Sequence, residues 1–321
     1  MEYFDQVEGD KRLTTLPIAR QNVFSYYQDA YRSYWTPEDI DFSQDMIHYT
    51  NKLSNREKHF VDYVLAFFAS SDQLVNMNLA ARFKQDVPMV DAGYFYDFQI
   101  MVENIHAHTY SVQLDTVIPD TAKRTYLLNA INNIPIIGEM SKYIIATMDS
   151  TEPLPVRLLR MACVEGVFFT GCFCVIYWLQ SKGLMPGLAH ANELISRDEA
   201  LHTLFALYLY TIIKPEHKIS TEKVYAVFSE AVDIAARFIE VALPVDLPEM
   251  NQTLMLKYIK NSADNLLMRI DVAPLYNVKH EFPFMNQINL LNRTNFFERR
   301  VSEYSKPTHS DKVSFEVNYD I

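Results

Sequence analysis

Two stretches decide the fold: FQIMVENIHAHTYS at 98–111 and ELISRDEALH at 193–202. Each sets a carboxylate three residues before an imidazole, Glu103 before His106 and Glu199 before His202. On an α-helix, positions i and i+3 share a face, so both side chains of a pair project toward one point. Two such pairs on two helices form the halves of a dinuclear metal site, which in helical bundles takes one more carboxylate from each of two other helices. The sequence offers Asp72 in AFFASSDQLVNMNL and Glu165 in RMACVEGVFFTG.

A single Glu-x-x-His is commonplace on a solvated helix face, so the surroundings carry the argument. Glu103 follows Ile100, Met101 and Val102, Glu165 sits between Val164 and Val167-Phe168-Phe169, and Asp72 ends the apolar run from Val64 to Ala69. Ionised carboxylates in such surroundings are very costly unless paired. Four carboxylates with two neutral imidazoles are balanced by two divalent cations. Oxygen and imidazole donors without thiolate suit non-haem iron or manganese. A structural zinc site closes with four ligands, and calcium does not favour histidine. Tyr110 follows His106 by four residues and shares its helical face. By spacing alone it is a core tyrosine; beside a centre able to reduce dioxygen it is also a one-electron oxidation site.

The rest of the composition narrows the classes. A length of 321 residues with only seven glycines favours long helices in one large core. A net charge of -11 with no basic stripe argues against nucleic acid as a partner. The stretch Met161 to Leu179 is strongly apolar but contains Glu165, which makes it a buried bundle helix rather than a membrane span. The start, Met1-Glu2-Tyr3-Phe4-Asp5, is polar and acidic, and no cleavable signal is expected there. Cys163, Cys172 and Cys174 are too few and wrongly spaced for a disulfide framework, which suits a cytoplasmic protein.

In chain order, residues 1–20 read as an extended, weakly ordered arm, and residues 21–294 as one helical body. Helices are expected at Val23–Tyr34, 55–86, 88–116, 156–183, 187–213, 220–241 and 248–269, with shorter pieces over 121–148. Pro88, Pro119, Pro153, Pro155, Gly183, Pro186 and Pro215 punctuate the joins. Residues 295–321 turn polar with scattered aromatics and read as a flexible tail.

Taken together, ASSDQLVNMNL, FQIMVENIHAHTYS, VEGVFFTG, GLMPGLAHANELISRDEALH and EFPFMNQINLLNRTNFFERRVSEY resemble, in content and order, the small radical-generating subunit of class I ribonucleotide reductase. The phrasing is closest to the eukaryotic and large-DNA-virus type. The resemblance implies an all-α, ferritin-like bundle with additional helices, a di-iron centre (manganese fits the same donors) and a homodimer. It implies that Asp72, Glu103 and His106 bind one metal, that Glu165, Glu199 and His202 bind the other, and that Glu103 also bridges. Tyr110 is then the radical tyrosine, walled by Phe169, Phe173 and Ile195. Trp35 in SYWTPEDIDF, Asp198 and the tail residue Tyr304 match the relay toward a separate large subunit, docked by Phe315 to Ile321. Conversion of ribonucleoside diphosphates to deoxyribonucleotides is the implied reaction of the complex.

Three positions depart from the pattern. Met77 stands where relatives often have glutamate, Gln73 where they often have glycine, and His108 where a charged residue is common. None removes a ligand. Two rivals share the cage: another di-metal oxidase, desaturase or ferroxidase, and a non-catalytic assembly subunit. The tail argues against the first, since such enzymes export no radical. The complete ligand set argues against the second.

Overall fold

The computed structural model describes residues 2–148 and 151–285. Among them there are helices, turns and no strand. We label the helices α1 (Gln21–Arg32), α2 (Asp45–Asn51), α3 (Asn55–Asn78), α4 (Val90–Val117), α5 (Thr121–Leu128) and α6 (Pro135–Ala146). After these come α7 (Leu154–Cys163, continued by Thr170–Ser181), α8 (Pro186–Thr211), α9 (Thr221–Ala242) and α10 (Gln252–Arg269).

The starts follow local chemistry. Ser54 accepts from the Glu57 amide at 3.3 Å, and the Glu57 carboxylate accepts from the Ser54 amide at 2.7 Å, a reciprocal cap that fixes the start of α3. Asn251 accepts from the Leu254 amide at 2.9 Å, which delays α10 by four residues against the expected 248. Proline opens α6 and α8, where its missing N–H costs nothing.

Four long helices make the centre of the bundle: α3 lies along α4, and α7 lies along α8. α9 and α10 cover α7, while α1 covers α4. The sequence pattern does not anticipate two π-helical turns, at Leu79–Phe83 after α3 and at Val164–Phe169 inside α7. Such turns insert one residue into the ladder and re-aim the side chains around them, and they are frequent at functional sites. Gly166 lies in the second. A Cβ there would stand 2.6 Å from Leu266 Cδ1 and 2.9 Å from Thr203 Cγ2, so glycine lets α7 close on α8 and α10 without displacing those side chains.

Leu154–Ser181 is long and apolar enough to cross a membrane by composition, but its most apolar window is 94% buried inside the protein. It is a core rod carrying a carboxylate, as expected.

The N-terminal arm differs from the expectation of weak order. Residues 2–20 form no helix, yet Phe4 is fully buried and the Lys214 amide donates to Tyr3 O at 2.9 Å. Arg12 grips the buried Asp91 of α4 with both terminal nitrogens, and the Arg20 amide donates to the same carboxylate at 2.8 Å. The Arg20 guanidinium holds Asp10 at 2.7 and 2.8 Å. Charge pairing and one apolar anchor pin the arm down.

The start of α8 is held from α2. Both Asp45 oxygens accept backbone amides, from Gly187 at 3.0 Å and Leu188 at 2.6 Å, and His48 Nδ1 accepts from Met185 at 3.0 Å. Three amides that the first turn of a helix leaves without partners are satisfied in this way. A Cβ on Gly187 would collide with the carbonyl oxygen of Asp41, so this approach also requires glycine.

Candidate metal centre

Each central helix delivers what the spacing promised: α3 brings Asp72, α4 Glu103 and His106, the π turn of α7 Glu165, and α8 Glu199 and His202. All six are between 0 and 3% exposed. They form two groups that share Glu103: Asp72, Glu103 and His106 in one, and Glu103, Glu165, Glu199 and His202 in the other, each with its donor atoms within 4.8 Å of one another. The spacing-based halves converge at one place, and the shared glutamate is the one expected to bridge.

Glu199, like Glu103, lies beside both imidazoles. His106 Nδ1 lies 2.9 Å from Glu199 Oε1 and 3.5 Å from Glu103 Oε2. His202 Nδ1 lies 3.1 Å from Glu103 Oε1 and 3.2 Å from Glu199 Oε2. Both glutamates therefore reach both imidazoles.

The donor set fits a pair of cations on physical grounds. Both oxygens of Asp72 and Glu165 Oε2 are buried without a hydrogen-bond partner among the described residues, and Glu103 Oε2, His106 Nδ1 and Glu199 Oε1 have only the carboxylate–imidazole contacts just given. Buried polar atoms are otherwise nearly always satisfied. Burial pushes the Asp72 and Glu165 carboxyls well above their ordinary range, and neighbouring carboxylates add to it. Burial acts the same way on Glu103, but His106 and His202 outweigh it and hold that carboxyl at about 2. Burial lowers both imidazoles, yet the surrounding carboxylates win and raise them. The pocket is a concentrated negative potential that calls for positive charge, which metal ions supply.

Gln99, one turn before Glu103 on α4, is not singled out by the sequence pattern. Its amide donates to Glu165 Oε1 at 3.0 Å and more loosely to Glu103 Oε1 at 3.4 Å, so it orients both carboxylates. The signal is present in QIMVE, an amide four residues before a buried glutamate.

Tyr110 is 2% exposed, and its hydroxyl has no hydrogen-bond partner among the described residues. Burial raises its pKa well above the ordinary phenol value, and Asp72 is the largest charge adding to the effect. Phe68, which sequence reasoning also passes over, stacks on it at 4.6 Å with planes 4° apart. Phe173 and Phe169 pack against Phe68 at 5.1 and 5.7 Å. Ile195 is fully buried on α8.

Trp35 and Asp198 meet behind His106. The indole Nε1 donates to Asp198 Oδ2 at 2.7 Å, and His106 Nε2 lies 3.3 Å from the same oxygen. The indole and imidazole planes stack at 5.9 Å. The three departures stay away from the ligands: Gln73, Met77 and His108 are exposed. Tyr304 and Phe315–Ile321, with the rest of the 295–321 tail, lie outside the described residues.

An all-helical bundle with two Glu-x-x-His pairs and two further carboxylates facing inward defines a dinuclear carboxylate protein. Comparison with known proteins narrows the class. The family model for the ribonucleotide reductase small chain matches residues 12–283. One ribonucleoside-diphosphate reductase small chain of Arabidopsis thaliana is 45% identical over 297 residues, covering 92% of the present sequence and 86% of the relative. The small chain of Trypanosoma brucei brucei is 45% identical over 301 residues, covering 93% and 88%. Among solved structures, the ribonucleotide reductase Rnr4 homodimer of Saccharomyces cerevisiae superposes with a TM-score of 0.76 at 29% identity, covering 87% of the present sequence and 90% of that one. The protein belongs to the ribonucleotide reductase small-chain family.

Proposed function

We propose that this protein is the radical-generating small subunit of a ribonucleoside-diphosphate reductase. Asp72, Glu103 and His106 would hold one metal ion, and Glu165, Glu199 and His202 the other, with Glu103 within reach of both groups. Iron is the proposed metal, and manganese suits the same donors. When bound, such a pair supplies dioxygen activation and a one-electron oxidant. The observation that carries the reading is the convergence of six buried ligands, Asp72 and Glu165 among them with unpaired donor atoms, next to a phenol in an aromatic wall.

The protein's own residues prepare the outcome. Phe68, stacked on Tyr110, excludes water and external reductants from that phenol. The tyrosine is neutral at working pH, so its oxidation releases both an electron and the hydroxyl proton. Asp198 accepts from the indole while facing the far nitrogen of His106, which fixes the imidazole and links the ligand to Trp35. Trp35 and Tyr304 carry the oxidising equivalent toward a large subunit, which holds the ribonucleotide and is docked by Phe315–Ile321. A homodimer and a cytoplasmic location complete the reading. Three buried cysteines, all free, support the latter.

The test is electron paramagnetic resonance after anaerobic ferrous loading and exposure to oxygen. A tyrosyl signal present in the wild type and lost in Tyr110→Phe is expected. A signal that survives the substitution refutes the assignment of Tyr110.

A further inference from the structure

The two ligand histidines face different aromatic neighbours. His106 stacks on Trp35, whereas His202 meets Phe95 edge-on at 6.0 Å. Phe95 packs on Phe205 at 3.9 Å, Phe205 on Tyr26 at 5.3 Å, and Tyr26 on Tyr208 at 5.5 Å. Phe95 also meets Tyr26 directly at 6.2 Å. Residues 202, 205 and 208 recur every third position along one side of α8, while α1 supplies Tyr26 and α4 supplies Phe95. The column starts on a buried ligand and ends on two phenols that are half-buried.

We propose that this column is a discharge route, carrying oxidising equivalents from the metal centre to Tyr26 and Tyr208 when Tyr110 does not supply the electron. The inference rests on the proposed radical-generating function.

The chemistry of the rings favours the route over packing alone. Phenylalanine is too hard to oxidise to hold a hole, but closely packed rings shorten the gap an electron must tunnel. Tyrosine is oxidisable, so the column has holding positions where it approaches solvent. Each discharge moves one electron from a phenol to the dioxygen-derived oxidant at the centre. The phenol O–H breaks, its proton passes to water, and a neutral phenoxyl remains for a thiol-class reductant to restore. Burial raises Tyr26 to about 12, so the ground state is the protonated phenol and this proton balance applies. Where reductant is lacking, two successive discharges leave phenoxyls on Tyr26 and Tyr208, and their rings couple through one new carbon–carbon bond; the two ring protons at that bond then move to the phenolic oxygens.

Tyr96 is the competing acceptor, since it is buried and meets Phe205 at 5.3 Å. Oxidation stopping there would leave the damage inside the fold.

The experiment uses the full-length Tyr110→Phe protein, loaded anaerobically with ferrous iron and exposed to oxygen without reductant. Absorbance follows metal oxidation, peptide mass spectrometry maps oxidised residues, and dityrosine fluorescence reports coupling. Expected are a Tyr26–Tyr208 cross-link or oxidised Tyr26 and Tyr208 peptides, more abundant than in the wild type. They should be absent from iron-free protein and diminished by Phe205→Leu. A second variant, Tyr26→Phe, removes one hydroxyl while retaining the ring, and should abolish the cross-link without altering metal oxidation. Metal oxidation with damage confined to Tyr96 or Trp35 overturns the route and leaves the main function standing. Absence of metal oxidation defeats both.

Discussion

Trp35 and Asp198, 163 residues apart, are joined by a buried 2.7 Å hydrogen bond from the indole N–H to a carboxylate oxygen that also faces His106. Asp198 would be costly to bury alone. Burial pushes its carboxyl up, and the contact with His106, helped by Arg197 and the indole, more than offsets this, leaving the pKa lowered. One carboxylate thereby connects a metal ligand to an indole. Trp35→Phe is expected to keep metal loading and the Tyr110 signal while reducing turnover with the large subunit to background. Retained turnover would remove Trp35 from the relay.

Gln99→Leu keeps the side chain's approximate volume and removes the donor to Glu165. Metal affinity should fall roughly 10- to 100-fold, the usual effect of losing a partner that orients a ligand. Equilibrium dialysis with ferrous or manganous ion measures it. Unchanged affinity would show that the π turn alone positions Glu165.

Phe68→Ala should destabilise the fold by about 3–5 kcal/mol, the usual cost of emptying a buried aromatic site. Phe68→Leu, a milder change, should leave radical formation intact and shorten the radical's lifetime as water and reductants gain access. Decay of the tyrosyl signal under an added small-molecule radical scavenger reads this directly.

Asp45 predicts a pH dependence. Burial raises its carboxyl from 3.8 to about 6, against the lowering effect of the Gly187 and Leu188 amides. A group whose folded pKa lies above its unfolded value takes up a proton on folding. Its contribution is therefore fully present below pH 3.8 and lost as pH rises through about 6. Measured against Asp45→Asn, which cannot titrate, the melting temperature of the wild type should compare more favourably at pH 5 than at pH 7. Asp45→Ala, which deletes the acceptor for both amides, should cost about 1 kcal/mol at pH 5 and less at pH 7.

The ligand cage is legible because chemistry and periodicity coincide: Glu103 with His106 and Glu199 with His202 have to face one way on any helix, and the apolar runs say that way is inward. The four central rods follow from the same patterns. Other features leave weaker marks. A π turn alters the ladder by one residue without changing composition, so Val164–Phe169 reads as ordinary helix. Gln99 carries no charge whose burial demands a partner, and it passes as part of an apolar run. Phe68 is one aromatic among many until the fold sets it on Tyr110. The pairing of Trp35 with Asp198 depends on a reversal of the backbone that no local pattern records, and only the family resemblance points to it.

The N-terminal arm has a mechanical consequence. Helices α4 and α8 together carry four of the six ligands, and the first twenty residues touch both, through Asp91 at the start of one and Lys214 just beyond the end of the other. What looks like an appendage is a tie-bar, and trimming it would let two struts of the cage drift while every ligand stayed in the sequence.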